Sequence, residues 1–271
     1  MKAPIQARLA ILAAAACTFA LAGAARAQTS DTAGIAQQPA APASASSSFS
    51  WNVAVTSDYR YRAISQTRLR PALQGGVDYV HADGWYAGAW ASTIKWVEDA
   101  GGDGEVEIDL YGGKRGALLP DLAAGLSYDV GLLRYFYPDN GLGRLPGWVN
   151  AHTTEVYAQL GYGPAYIKYS HATTNLFGFV DSENSGYLDI GANVDIGNGL
   201  TLQLHAGRQE VKHNPASDYT DWKIGVSRSF ALATVSLAYL GTNANESAYT
   251  SPVNGKFTGR DALQLTVSRA F

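Results

Sequence analysis

Residues 186–209 read "GYLDIGANVDIGNGLTLQLHAGRQ", and the alternation within them decides the fold. Leu188, Ile190, Ala192, Val194 and Ile196 share one parity, while Tyr187, Asp189, Gly191, Asn193 and Asp195 take the other. The pattern breaks at "IGNGL" and then resumes. Leu200, Leu202, Leu204 and Ala206 now oppose Thr201, Gln203, His205 and Gly207. A period of two is the signature of a β-strand with unlike faces, and a Gly-Asn-Gly break between two such runs reads as a hairpin.

The same alternation extends in both directions. Twelve candidate strands follow, at about 51–62, 72–81, 85–96, 105–112, 125–136, 154–161, 165–171, 187–195, 200–209, 220–229, 233–241 and 261–271. Val106, Ile108 and Leu110, for instance, oppose Glu105, Glu107 and Asp109. The connections have their own rhythm. "HADG", "GYGP", "IGNGL" and "SFALA" are short, and "GKRGALLPDLAA" is intermediate. "VEDAGGDG", "PDNGLGRLPGWVNAHT", "HATTNLFGFVDSENSG" and "TNANESAYTSPVNGKFTG" are longer and more polar. Short turns alternating with long loops fit an all-β, antiparallel, up-and-down transmembrane barrel, in which one parity faces lipid and the other faces the interior. An even strand count places both termini on the side of the short turns.

Composition agrees. The sequence carries 16 Tyr and 6 Trp against 8 Phe, and amphipathic aromatics are what membrane interfaces enrich. Trp51, Tyr86, Trp90, Trp96 and Tyr128 are the expected interface anchors. In the terminal "DALQLTVSRAF", Leu263, Leu265, Val267 and Phe271 share a parity, so Phe271 is the expected assembly signal. Arg134, Arg228 and Arg269 fall on the apolar parity near strand ends, where a guanidinium reaches headgroups. At the bilayer midplane each would cost roughly 2–4 kcal/mol.

The N-terminus places the barrel beyond an export signal. Lys2 and Arg8, an apolar run from Ile11 to Ala22 and the small-x-small Ala25-Arg26-Ala27 make a secretory signal peptide of residues 1–27, cleaved after Ala27. Residues 28–48, "QTSDTAGIAQQPAAPASASSS", hold too little apolar surface to offset their ordering entropy and read as a disordered tail. The barrel is expected from residue 49 to 271. Cys17 is the only cysteine and leaves with the signal, which excludes a disulfide scaffold. Lys2, Arg8 and Arg26 leave too, so the formal net charge moves from −3 to −6, against nucleic acid as a partner.

"TSDYRYRAIS", residues 56–65, puts Asp58, Arg60 and Arg62 on the polar parity of the first expected strand. Inside a barrel they would meet water or opposite charge. Asp58, Arg60, Arg62, Asp78, Lys95, Glu105, Glu107, Asp109, Lys168 and Asp189 are the expected pore-lining residues, joined inside by Asp129, Glu155, Asp195, His205 and Lys223. Acids outnumber bases in this set, which favours cations if the interior conducts. Arg60 and Arg62 facing Glu105, Glu107 and Asp109 would form the constriction. The expected function is passive diffusion of small hydrophilic solutes or ions. The alternative is a closed barrel, its interior filled by ion pairs or an inward loop, that serves structure or binds a partner.

Catalysis has weak support. A barrel hydrolase would want Ser two residues from a His, and none of His81, His152, His171, His205 and His213 has one. Glu98, Asp99, Asp103 and Glu105 crowd one loop without the spacing of an EF-hand, and "DLYGGKRG" leads into no helix, so no metal or other cofactor is implied. Expected partners are outer-membrane lipids and lipopolysaccharide, the barrel-assembly machinery through the last strand, and small solutes.

"TSDYRYRAISQT", with "PALQGGVDYVHADGWYAGAWAS", "VEIDLYGG", "LSYDVGLLRYFYP", "EVYAQLGYG", "SGYLDIGANVD" and "DYTDWKIGVS", resembles the TorF-like porins, a family of conserved proteobacterial outer-membrane proteins of unknown function. The likeness spans about Trp51 to Phe271. It implies an outer-membrane barrel with a porin role, and neither a substrate nor a catalytic residue. Asp58, Tyr59, Arg62, Ile64, Ser65, Gln66, Thr67, Gln74, Gly75, Gly76, Asp78 and Tyr79 fall on the family motif. Ala63 departs from it where Gly is usual, and Arg60 is a local choice.

Overall fold

The computed structural model describes residues 46–120 and 124–271, and within them the alternating segments close into one barrel. Its twelve wall strands are β1 (Ser48–Thr56), β4 (Ala72–Val80), β5 (Trp85–Thr93), β6 (Val106–Ala117), β7 (Leu126–Phe136), β8 (Thr153–Tyr162), β9 (Ala165–Ala172), β10 (Gly186–Gly197), β11 (Leu200–Glu210), β12 (Tyr219–Ser229), β13 (Thr234–Thr242) and β14 (Ala262–Ala270). Two short strands between β1 and β4, β2 (Arg60–Tyr61) and β3 (Ile64–Ser65), form a separate hairpin. The expected signal peptide, and the tail up to residue 45, lie outside the described residues; β1 starts at Ser48.

Neighbouring wall strands pair antiparallel in sequence order, and β1 closes the ring on β14, from Asn52 against Ala270 to Thr56 against Thr266. Closure leaves no unpaired edge and satisfies the strand backbone internally, which a bilayer core demands. The outward parity is apolar and exposed: Ile190 is 51% exposed and its inward neighbour Asp189 is 2%. An apolar outside around a polar inside is the build of a membrane-spanning barrel. The start of β1, the end of β14 and the short turns lie at one end. In the β10–β11 turn, Gly197, Asn198 and Gly199 have φ of 85°, 54° and 73°, a left-handed run that this sequence allows.

Several strand limits differ from the sequence reading. β6 continues to Ala117, through glycines that had read as a loop. Those glycines pack under aromatic rings, and a Cβ on Gly116 would come within 3.3 Å of Tyr128. The larger difference concerns the first strand, which leaves the wall at Thr56. Asp58, Tyr59, Arg60, Tyr61 and Arg62 are between 0% and 8% exposed, on both parities, so no lipid-facing side exists here. Arg62 and Ala63 take positive φ, 47° and 59°, and turn the chain back on itself as β2–β3. Asp58 holds the fold-back. Its carboxylate accepts from Ser65 Oγ at 2.5 Å, Thr67 Oγ1 at 3.1 Å and Arg60 Nε at 2.7 Å. Residues 57–71 thus form an inward segment.

Candidate functional site

The interior is built from one parity of twelve strands and from the inward segment. Much of the wall is tyrosine: Tyr86, Tyr111, Tyr135, Tyr157, Tyr166, Tyr187 and Tyr219 are all buried. Several of these rings lie across a glycine of the adjacent strand. A Cβ on Gly131 would stand 2.6 Å from Tyr157 Oη and 2.7 Å from the Gly112 carbonyl oxygen. The phenols then hydrogen-bond the wall carboxylates: Tyr111 donates to Asp78 at 2.7 Å, Tyr86 to Asp129 at 2.5 Å and Tyr166 to Asp189 at 3.2 Å. From β12 round to β4 the inward side chains are smaller, among them Ser227, Thr234, Ser236, Gln264, Thr266, Ser268, Asn52 and Gln74.

Arg62 is the principal tie between the inward segment and the wall. Its Nη2 donates to both Glu155 oxygens, at 2.9 and 2.8 Å, and its Nη1 to Gln209 Oε1 at 2.5 Å. The guanidinium lies 4.0 Å from the Tyr187 ring centroid and 4.7 Å from that of Tyr61. Tyr61 Oη is 2.5 Å from Tyr135 Oη, and Tyr59 donates to Glu107 Oε1 at 2.9 Å. Arg60 stays within the segment and its surroundings. It pairs with Asp58 and donates to the carbonyls of Ala63 at 3.0 Å and Arg260 at 2.7 Å.

The expected constriction is therefore corrected. Arg60 and Arg62 face Asp58 and Glu155, not Glu105, Glu107 and Asp109, because the chain turns inward before reaching them. Lys95 and Glu105 are not inside. β5 ends at Thr93, and both residues sit on the following loop, where Lys95 Nζ meets Glu105 at 2.6 Å and Glu98 at 3.0 Å. Those contacts raise the Lys95 pKa and lower that of Glu105. Asp78, Glu107, Asp109, Lys168 and Asp189 do point inward. Lys168 Nζ lies 4.1 Å from the Tyr157 ring centroid. Glu107 Oε2 and Asp109 Oδ1 are buried with no hydrogen-bond partner among the described residues.

The sequence reading did not single out Asp221, although its parity on β12 marks it. His205 lies between two carboxylates, with Nδ1 2.9 Å from Asp189 and Nε2 2.6 Å from Asp221. A carboxylate oxygen at each nitrogen suits a ring that donates from both. Tyr187 adds a hydrogen bond to Asp221 at 3.0 Å.

The interface anchors divide. Trp51 is 43% exposed at the short-turn end and stacks on Phe271, centroids 3.8 Å apart. Tyr128 shares the outward parity of Val130 and Leu132. Tyr86 and Trp90 are corrected: at 7% and 6% exposure they point into the barrel, and Trp85, 57% exposed, is the outward aromatic of β5. Trp96 is corrected as well. It sits on a one-turn helix, α1 (Trp96–Asp99), in the loop layer, edge-on to Tyr137 at 5.1 Å.

At the long-loop end the inward segment, α1 and the loops around residues 137–148, 176–179 and 248–252 enclose a cavity of about 360 Å³, with Tyr61 and Gln209 in its lining.

Three solved structures show what this architecture is similar to. A KdgM porin aligns at 6% identity and TM-score 0.49, over 83% of this chain and 98% of its own. A NanC porin aligns at 11% identity and TM-score 0.49, over 82% and 98%. LpxR from Salmonella typhimurium aligns at 13% identity and TM-score 0.41, over 82% and 99%. No curated protein matches the sequence. The model of one family, described as a bacterial protein of unknown function (Gcw_chp), matches residues 40–271, which take in every wall strand, and the chain belongs to that family.

Proposed function

We propose that the protein is a narrow outer-membrane porin through which small hydrophilic solutes or ions diffuse, past an inward segment that sets the bore. The observation that carries this reading is the chemistry of the wall. From β12 round to β4 it presents Ser, Thr, Gln and Asn inward, a hydrophilic lining that a purely structural core has no need of. Acids outnumber bases among the inward-facing side chains, which would favour cations. Export by a signal peptide cleaved after Ala27, contact with lipopolysaccharide, assembly through the Phe271 strand and membership of the TorF-like porins belong to the same proposal. Single-channel recording of the refolded mature protein tests it: stepwise openings support conduction, and a folded barrel without openings overturns it.

One observation favours the second reading, a closed barrel. The inward segment is fixed to the wall by the buried Arg62–Glu155 pair, and its residues 58–62 are at most 8% exposed. The two readings part on whether the folded protein conducts.

A further inference from the structure

The inward segment meets the wall at a second place, over two carboxyls that Arg62 does not use. Glu107 and Asp109 stand two residues apart on the inward face of β6, at 1% and 4% exposure. Their carboxyls lie within hydrogen-bonding reach of one another. Tyr59, on the segment, donates to Glu107 Oε1 at 2.9 Å, and its ring stands edge-on to Trp90, centroids 5.5 Å apart. What else surrounds the pair is neutral or negative. β5 places Ser92 opposite Glu107 and Trp90 opposite Asp109, and β7 places Tyr135 opposite Asp109. The phenol of Tyr137 reaches Glu107, while Tyr61, Tyr111 and the Glu155 carboxylate face Asp109.

No cation balances them. Among the described residues neither carboxyl joins an ion pair, and the Arg62 guanidinium is committed to both Glu155 oxygens. Two carboxylates this close, out of water and without a cation, do not both stay ionised. Their unpartnered atoms show how the conflict is resolved. Glu107 Oε2 and Asp109 Oδ1 are buried and lack a partner among the described residues. Both groups are acceptors when ionised, so neither can satisfy the other. Once one of them is protonated, it donates to its neighbour and the pair is closed.

We propose that Glu107 and Asp109 share one proton while the inward segment is docked, and that loss of this proton to water releases the segment. Lifting Tyr59 and its neighbours lets water reach both carboxyls, which then ionise in the ordinary range, at about pH 4. Above that range the docked form holds one proton more than the released form. The ratio of docked to released segment therefore falls as pH rises, by up to about tenfold per pH unit, until the docked pair has lost its proton too. The segment is tightest in mild acid and loosest in mild alkali. The switch rests on the docked segment and does not depend on whether the barrel conducts.

Two measurements on the refolded mature protein test this. The infrared difference spectrum of parent against Asp109→Asn, at pH 6, should show a protonated carboxylic acid in the parent that the variant lacks. A nitroxide on Leu69→Cys, in a mature chain otherwise free of cysteine, reads the segment itself. Its motion should be slow at pH 5 and quicken toward pH 9. Adding Asp109→Asn should keep it slow throughout, because the amide donates to Glu107 as the acid does and has no proton to lose in this range. A heat-modifiable band on gels confirms that each variant is folded. The proposal is overturned if Asp109→Asn removes no protonated-acid band, if the label moves alike at pH 5 and pH 9 in the parent, or if the pH dependence survives Asp109→Asn.

Discussion

Glu155→Gln keeps the side-chain shape at the wall and removes its charge, leaving the Arg62 guanidinium without its carboxylate. Both side chains are almost wholly buried, 5% and 3% exposed, and the bond is bidentate. Removing one partner of such a pair costs about 3–5 kcal/mol, chiefly because the other charge stays buried and uncompensated. The barrel itself does not bear that cost. Glu155 sits on β8, whose pairing with β7 and β9 does not involve the side chain. Arg62 rides on the 57–71 segment, anchored to the wall at its two ends. The loss therefore shifts the equilibrium between docked and released segment, by between about a hundredfold and a few thousandfold at 1.4 kcal/mol per factor of ten. Trypsin reads the shift, since Arg60, Arg62 and Arg68 all lie in the segment and none of them precedes a proline. Glu155→Gln should be cut there far faster than the parent, and its single-channel steps should be larger and noisier. Replacing both partners by Leu should restore protection, because a well-packed apolar pair replaces a buried ion pair at little cost. A folded Glu155→Gln barrel as resistant as the parent would refute the reasoning.

Three further outcomes are expected. Gly131→Ala should cost about 1–3 kcal/mol and lower the temperature of heat modification, since the new methyl meets Tyr157 Oη and the Gly112 carbonyl; an unchanged transition would mean the ring moves freely. His152 has its pKa lowered by burial and then by Arg134, and its Nδ1 accepts the Tyr137 N–H at 3.1 Å. Its neutral form is the one that the fold favours, so the loop should loosen as pH falls through the ordinary His value of about 6.5. Proteolysis of the 137–152 loop at pH 5 against pH 7.5 should show this, and His152→Gln should abolish the difference. Phe271→Ala removes a stacked pair worth about 0.5–1.5 kcal/mol beyond its area, at the junction of β1 and the chain end, and should lower the yield of assembled barrel in membranes; an unchanged yield would remove Phe271 from the assembly signal.

The wall was legible in the sequence wherever the two parities differ in kind. Leu188 to Ile196 against Tyr187 to Asp195 admits one reading, and β10 and β11 lie where it puts them. The reading fails where residue type does not distinguish the faces. "WYAGAWAST" carries Trp85 on one face and Tyr86 and Trp90 on the other, with Ala and Gly between, so which aromatics meet lipid depends on the neighbouring strands. The glycines of β6 looked like a loop because their role, making room for rings, is visible only across a strand pair. "TSDYRYRAIS" misleads most. Its alternation is that of a strand, but its polar residues bond to one another and to Glu155 and Gln209, distant in the chain and reached only after the barrel closes. The candidate lumen acids Asp78, Glu107, Asp109 and Asp189 were legible by parity alone. Their partners were not, because a partner is set by register.

The central claim is that the hydrophilic wall carries solutes past the inward segment. The most direct test is single-channel recording of the refolded mature protein and of Glu155→Gln, in a planar bilayer under a salt gradient. The account predicts small stepwise openings with a cation-selective reversal potential in the parent, and larger steps in the variant. Silence from both folded proteins would contradict it and leave a closed barrel knit shut by Arg62.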